Sequence, residues 1–208
     1  HLPILIGSRR GLVSNGRAPE HLGAMYNHLE RRGNIWGLGY EQRQKFVELA
    51  GLKLFDARRH QVLVWLGCAG AFEADFQRSL RSLFDILRAN KVTFGVLSKE
   101  RCSGDPAKRT GNEYMFQELA RRNIEDLVAA GPKTILTSCP HCLKTLGEDY
   151  RRFGYEVDVV HSSVYVEALT RGMCTDAKRQ KVTFHDPCYL GRYAGRVGQP
   201  RALLNRFG

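Results

Sequence analysis

Cys68, Cys102, Cys139 and Cys142 are the residues of this 208-residue chain whose type and spacing point to chemistry. Thiolates are soft donors. Four of them gathered at one place suit a soft metal, either an iron–sulfur cluster or zinc. Cys139-Pro140-His141-Cys142 is a C-x-x-C. Alone it fits three chemistries: a redox dithiol favoured by a helix N-terminus, half of a zinc site, or two cluster ligands. Cys102 follows Cys68 by 34 positions, and Cys139 follows Cys102 by 37. Each interval holds one helix and one strand, which in a parallel sheet returns the chain to the same edge. The period of such a fold delivers the thiols to one place, and strand C-termini are where open α/β sheets build their sites.

The elements that must position these residues read as strands alternating with helices. Residues 61–67 (QVLVWLG) form a β-rich run that ends at Cys68. Phe76, Leu80, Leu83, Phe84 and Leu87 then recur at helical spacing. Residues 92–98 give a second strand, followed by a polar loop over 100–111. Phe116, Leu119, Ile124, Leu127 and Val128 mark the next helix, stopped by Gly131-Pro132. Tyr114 and Phe116 are expected to pack. Residues 134–138 give a third strand, 140–153 a helix, 157–162 a fourth strand and 163–172 its helix. A fifth strand is expected over 181–186, ending at Cys188. The pattern predicts an α/β fold: an open, mainly parallel sheet with helices on both faces, preceded by a short helical arm. The arm is placed at 1–55 and the α/β domain at 56–208. In the arm, 18–33 reads as one helix, opened by Pro19 and closed by Gly33, and Trp36 is expected to anchor the arm on the domain. A weak repeat is visible: VTFHDPC resembles VLVWLGC at an offset of 120 residues. Cys188 therefore reads as the start of a second, incomplete unit, with further chain expected on both sides of this one.

Composition narrows the function classes. The chain is 43% hydrophobic and 25% charged, as in ordinary soluble globular proteins. No apolar run approaches the ~20 residues of a membrane helix. The opening residues lack the basic region and cleavage site of a signal peptide. The six cysteines show no disulfide layout, which favours a reducing, cytoplasmic compartment. The net charge of +11 fits a solvated basic surface, an acidic protein partner or an anionic membrane face. Nucleic acid is disfavoured. The pairs Arg9-Arg10, Arg31-Arg32, Arg121-Arg122 and Arg151-Arg152 read as separate exposed faces, and no aromatic-interleaved platform is present. The loop GDPAKRTGNEY is not a phosphate-binding P-loop, because the glycine spacing and Lys-Ser/Thr are missing.

WLGCAG, ERCSGDPAKRTGNEY and TSCPHC together resemble the cysteine-rich domain of heterodisulfide reductase subunits and related iron–sulfur oxidoreductases. That motif is a cysteine, a gap of thirty-odd residues, Cys-Cys-Gly, a similar gap and C-x-x-C. HDPCYLGR with QPRALL resembles the opening of the family's second copy. The segment 8–39 resembles the linker that follows ferredoxin-type cluster modules in larger members. The resemblance implies that Cys68, Cys102, Cys139 and Cys142 ligate a 4Fe–4S cluster, with Cys188 belonging to a second cluster. It implies an electron-transfer module between an electron-transfer flavoprotein-like partner and quinone or a further cluster. A ferredoxin-type module would lie upstream, and a membrane quinone-reducing partner or the inner face of a membrane would lie nearby. The alternatives are a structural zinc module of the same fold, or a thiol/disulfide reductase subunit. Where the family has Cys-Cys-Gly, this chain has Cys102-Ser103-Gly104. Four thiolates suit an ordinary cubane better than the five-thiolate noncubane cluster, so plain electron transfer is preferred over heterodisulfide cleavage.

Four further residues are expected around the metal: Ser103, His141, His185 and Asp186. The Ser103 hydroxyl is expected to turn back to the loop backbone. His141 lies within the C-x-x-C, where it would meet a cluster sulfide or face solvent. His185 and Asp186 at a strand end are expected either to tune a cluster or to satisfy the turn. Lys108 and Arg109, with the amides near Gly104 and Gly111, are expected to offset the cluster's negative charge. Cys174 matches no motif and reads as incidental.

Overall fold

The computed structural model describes residues 2–173 and 181–207. The arm holds α1 (Leu2–Ser14), a 3-10 turn (Glu20–Leu22), α2 (Gly23–Arg32) and α3 (Tyr40–Leu49). The helix expected over 18–33 is therefore split. Pro19 is extended (φ −58°, ψ 132°) and opens the 3-10 turn; α2 begins only at Gly23. Gly33 closes α2 at φ +64°, donating its N–H to the Leu29 carbonyl, a left-handed stop that glycine adopts without strain. The domain continues with β1 (Val62–Trp65), α4 (Gly67–Phe72), α5 (Ala74–Ala89), β2 (Phe94–Gly95), α6 (Asp105–Thr110) and α7 (Glu113–Ala130). There follow β3 (Thr134–Thr137), α8 (Pro140–Gly147), a 3-10 turn (Asp149–Phe153), β4 (Asp158–His161) and α9 (Ser162–Leu169). A π-helical turn (Tyr189–Tyr193) and α10 (Gly198–Phe207) end the described chain.

The four strands form one parallel sheet in the order β2-β1-β3-β4. Period-2 alternation sorts their side chains onto two faces. Leu63, Trp65, Ile135 and Val159 face a core built with Phe116, Leu119 and Leu127 of α7 and with Leu146 of α8. Val62, Val64, Leu136 and Val160 face a second core with Leu80, Leu83, Phe84 and Leu87 of α5 and Leu169 of α9. Burying a side chain of this size stabilises by about 1.5–3 kcal/mol. The sheet is therefore pinned from both sides, as expected for an α/β fold. The arm feeds both cores: Leu29 joins the first and Phe46 and Ala50 the second.

Some expected elements differ. No strand forms over 181–186. That run is mostly exposed, and Phe184 packs under the Arg201 guanidinium (5.8 Å) instead of against a sheet. The helix over 140–153 ends at Gly147 and continues as the tighter Asp149–Phe153 turn. The polar loop over 100–111 contains α6, which Pro106 starts in its first turn. Val128 and Tyr114 are exposed (64% and 77%), since the buried face of α7 runs through Phe116, Leu119, Ala120, Asn123 and Leu127. Trp36 anchors the arm as expected, packing edge-on against Phe72 of α4 at 6.1 Å. The arginine pairs 31–32, 121–122 and 151–152 are exposed. No helix among the described residues is long and apolar enough to cross a membrane. Cys174 lies outside the described residues.

Candidate metal centre

In this strand order the chain leaves β1 first toward β2 and later returns beside β1 as β3, so the crevice between the ends of β1 and β3 is the switch point where such sheets bind ligands. Trp65 of β1 pairs with Thr137 of β3. Cys68 lies three residues past Trp65, and Cys139 two past Thr137. Cys139 is the N-cap of α8, and Cys142 sits in its first turn. Cys102 arrives from the loop after β2. Cys102 and Cys142 are buried in the core under α7 and α8, with Cys68 and Cys139 half-buried against them.

The thiols meet as two interacting pairs. Hydrogen bonding with Cys68, then burial, pushes the Cys102 thiol well up. The Cys139 thiol is held well below its usual range, first by hydrogen bonding with Cys142 and also by His141. Cys142 is pushed well up by its bond with Cys139 and by burial, and it also feels the charges of Cys102 and Cys68. All four expected ligands therefore share one electrostatic site. No group of three or more His, Cys, Asp or Glu side chains among the described residues is arranged around a point as one metal ion requires. The donor set fits a cluster better than a single ion in chemical character: four soft sulfurs, half to fully buried, and no hard oxygen ligand between them.

The loop bearing Cys102 is held from below. Its N–H donates to the Gly33 carbonyl of the arm (2.7 Å). Asn123 on α7 donates to the Cys102 carbonyl (2.9 Å) and to Tyr150 Oη (3.0 Å), and Tyr150 Oη donates to the Ser103 carbonyl (2.9 Å). Tyr150 is fully buried, and burial raises its phenol well above the usual range. Gly104, at φ +91°, turns its N–H onto Cys102 Sγ (3.5 Å); a Cβ there would meet the Phe116 ring at 2.9 Å. The Ser103 hydroxyl does not turn back to the loop backbone. It lies in the site and accepts from the Cys142 thiol at 3.6 Å. Tyr150→Phe leaves the Ser103 carbonyl without its buried donor, so a loss of about 1–3 kcal/mol is expected. The urea midpoint of the iron-free chain measures it.

Charged groups ring the mouth. Lys108 does not face the thiols alone: it pairs with Asp149 at 2.5 Å, over the Phe116 ring. Arg109 reaches His141 Nε2 (3.3 Å), approaches Asp105 (3.8 Å) and covers the Tyr189 ring (5.2 Å). Burial raises the Asp105 carboxyl, while hydrogen bonding to Cys139 raises His141. Cys188 is exposed and stands apart from the four thiols. It lines a cavity of about 630 Å³ with His141, Arg109 and Pro140. His185 is exposed, and Asp186 is committed to a bidentate pair with Arg201 (2.6 and 2.5 Å), which lowers its carboxyl.

Residues 62–147 match the family model described as cysteine-rich domain, CCG. They belong to that family. The whole chain aligns with the EtfAB:quinone oxidoreductase of Syntrophomonas wolfei, 32% identical over 219 residues and covering 31% of that protein. It also aligns whole with a probable membrane-anchored ferredoxin of Chromohalobacter salexigens, at 37% over 219 residues and 32% of that protein. The probable iron-sulfur-binding oxidoreductase FadF of Bacillus subtilis is 32% identical over 217 residues, 98% of this chain and 31% of the relative. The chain thus spans about a third of the length of these relatives. No solved structure matches it.

The residues that the sequence did not mark are those holding the cysteines from behind. Asn123 left a signal, a polar side chain on the apolar stripe between Leu119 and Leu127. Glu100 and Arg43 left none; they look like ordinary surface charges until the fold buries them.

Proposed function

We propose that Cys68, Cys102, Cys139 and Cys142 hold a 4Fe–4S cluster in an electron-transfer module of a larger oxidoreductase. The observation that carries this reading is the convergence of four thiols on the switch point of the sheet. The names of the relatives, an iron-sulfur-binding oxidoreductase, a ferredoxin and a quinone oxidoreductase, support the same class. A bound cluster would supply one-electron redox chemistry at moderate driving force. The protein would supply the rest. The Gly104 N–H on Cys102 Sγ offsets thiolate charge, Arg109 brings positive charge beside His141, and burial of Cys102 and Cys142 keeps water from their sulfurs. Ser103 removes the fifth thiolate, so electron transfer is preferred over disulfide cleavage.

The wider setting follows the same reading. The donor or acceptor is an acidic, electron-transfer flavoprotein-like partner, the other end is quinone or a further cluster, and the module works in the cytoplasm or at the inner face of a membrane. Residues 1–55 and 56–208 are read as arm and cysteine-rich domain, with a ferredoxin-type module upstream. Anaerobic purification with metal and sulfide analysis tests the centre. About four iron per chain, with an ordinary cubane EPR signal on reduction, is expected. One zinc without iron rejects the reading in favour of a structural metal, and a noncubane signal rejects the preference for plain electron transfer. The +11 chain should also bind an acidic flavoprotein with an association rate that falls steeply between low and physiological salt, measured by stopped flow.

A further inference from the structure

Where β1 ends, Leu66 is in the right-handed region (φ −65°, ψ −38°) and Gly67 in the left-handed one (φ +73°). Successive residues of this kind turn their N–H groups to one side and form a concavity for an anion. Both residues are buried, so these two donors need an acceptor inside the protein. The Glu100 carboxylate fills the concavity. One oxygen accepts from the Leu66 N–H, and the other accepts from the Gly67 N–H, each at 2.8 Å. The Gly67 acceptor oxygen also takes Arg43 Nη1 at 2.6 Å. Neither side chain is open to water: Glu100 is 0% and Arg43 4% exposed. The Arg43 guanidinium lies 5.5 Å from the Phe72 ring, which Trp36 packs edge-on. Cys68 is the residue immediately after Gly67.

We propose that Arg43 and Glu100 are positioning residues for Cys68: the carboxylate fixes the turn that aims this cysteine, and the arginine couples that turn to the helical arm. The chain thereby makes α3 part of the cysteine site although α3 contributes no thiol. Two hydrogen bonds and one ion pair set the turn's geometry, and Cys102, two residues after Glu100, is held on the same loop. The mutual placement of Cys68 and Cys102 therefore passes through a single carboxylate. A shift of α3 moves the guanidinium, then the carboxylate, then the two amides. This inference deepens the reading of Cys68 as a cluster ligand, but its geometry stands on the iron-free chain.

The test is amide hydrogen exchange on the full iron-free chain, followed residue by residue by NMR, for wild type, Glu100→Gln, Arg43→Met and Arg43→Lys. In Glu100→Gln, one acceptor becomes a donor. The Leu66 and Gly67 amides should exchange about 10- to 100-fold faster, while Leu63 and Val64 of the same strand change little. Arg43→Met should do the same through an unpaired carboxylate, and Arg43→Lys should recover part of the protection. In parallel, iodoacetamide should label Cys68 faster in the variants, with the exposed Cys188 as the internal reference. With cluster bound, the midpoint potential should shift in the same variants. Unchanged protection at Leu66 and Gly67, or uniform acceleration along the whole of β1, overturns the proposal. Should Glu100→Gln fail to fold, the Arg43→Met and Arg43→Lys chains answer the same question at the same two amides. A wild-type chain without iron would defeat the cluster reading yet leave the exchange result able to decide this one.

Discussion

Cys139→Ser is expected to purify as a folded chain that has lost most of its iron and its absorbance near 400 nm. The two halves of this result come from different parts of the residue. The backbone of Cys139 caps α8: its φ of −102° and ψ of 114° are extended, its carbonyl accepts from the Leu143 N–H (2.9 Å), and its N–H donates to Thr137 Oγ1 (3.2 Å). Serine keeps all of this and is among the preferred N-caps, so the helix and the β3 turn should persist. The sulfur is what serine removes. A neutral hydroxyl is a poor soft-metal ligand, and the three remaining thiols cannot close the set. Iron should fall from about four per chain to below one by colorimetric assay, with the far-UV CD spectrum unchanged. Cys188→Ser is the control. That thiol is exposed and apart from the four, so iron should stay at the wild-type level. Full iron in Cys139→Ser would reject this ligand set. Loss of iron in Cys188→Ser would show that the cavity beside His141 belongs to the centre.

The cysteine half of this site was readable before the fold because its cause is periodic. One helix and one strand per interval is a property of chain length, and Val62–Trp65 and Thr134–Thr137 are apolar runs that flanking breakers mark clearly. The polar half was not readable, for two reasons. Burial of a charge is decided by a distant partner. Glu100 is buried because Arg43, 57 residues earlier, and the Leu66 and Gly67 amides meet it, and no local pattern carries that. Short polar segments also have nearly equal options. Residues 181–186 have the alternation of a strand, but a strand is a pairing, and Phe184 found Arg201 before a sheet edge. The hydroxyl of Ser103 had the loop backbone within reach by local rules, and the approach of Cys142 from α8 won. Val128 failed for a smaller reason. It sits next to Leu127 in the stripe, and adjacent residues on a helix differ in direction by about 100°, so only one of the two could face the core.

Deleting residues 1–55 is expected to remove the folded state of the remainder. A linker would be dispensable, and the sequence alone reads the segment that way. The contacts argue for a larger effect. Removing α3 takes Arg43 from Glu100 and leaves a buried carboxylate with no counter-charge, a loss of about 3–5 kcal/mol. Removing Leu29 and Phe46, both buried, uncovers one patch on each core, each worth about 1.5–3 kcal/mol. The Cys102 N–H also loses the Gly33 carbonyl, and α6 loses the Arg9 and Arg10 clamps to the Arg109 carbonyl and Glu113. Together these match the ~5–15 kcal/mol that holds an ordinary domain folded. Urea unfolding followed by far-UV CD decides the matter. The truncated chain should show no cooperative transition, while the intact chain shows one. A cooperative transition at the wild-type midpoint, with iron still bound, would mean that the arm leans on the domain without supporting it. Such a result would also separate the arm's two effects: the cores would then close without Leu29 and Phe46, and the loss of Arg43 would register only at the Leu66 and Gly67 amides.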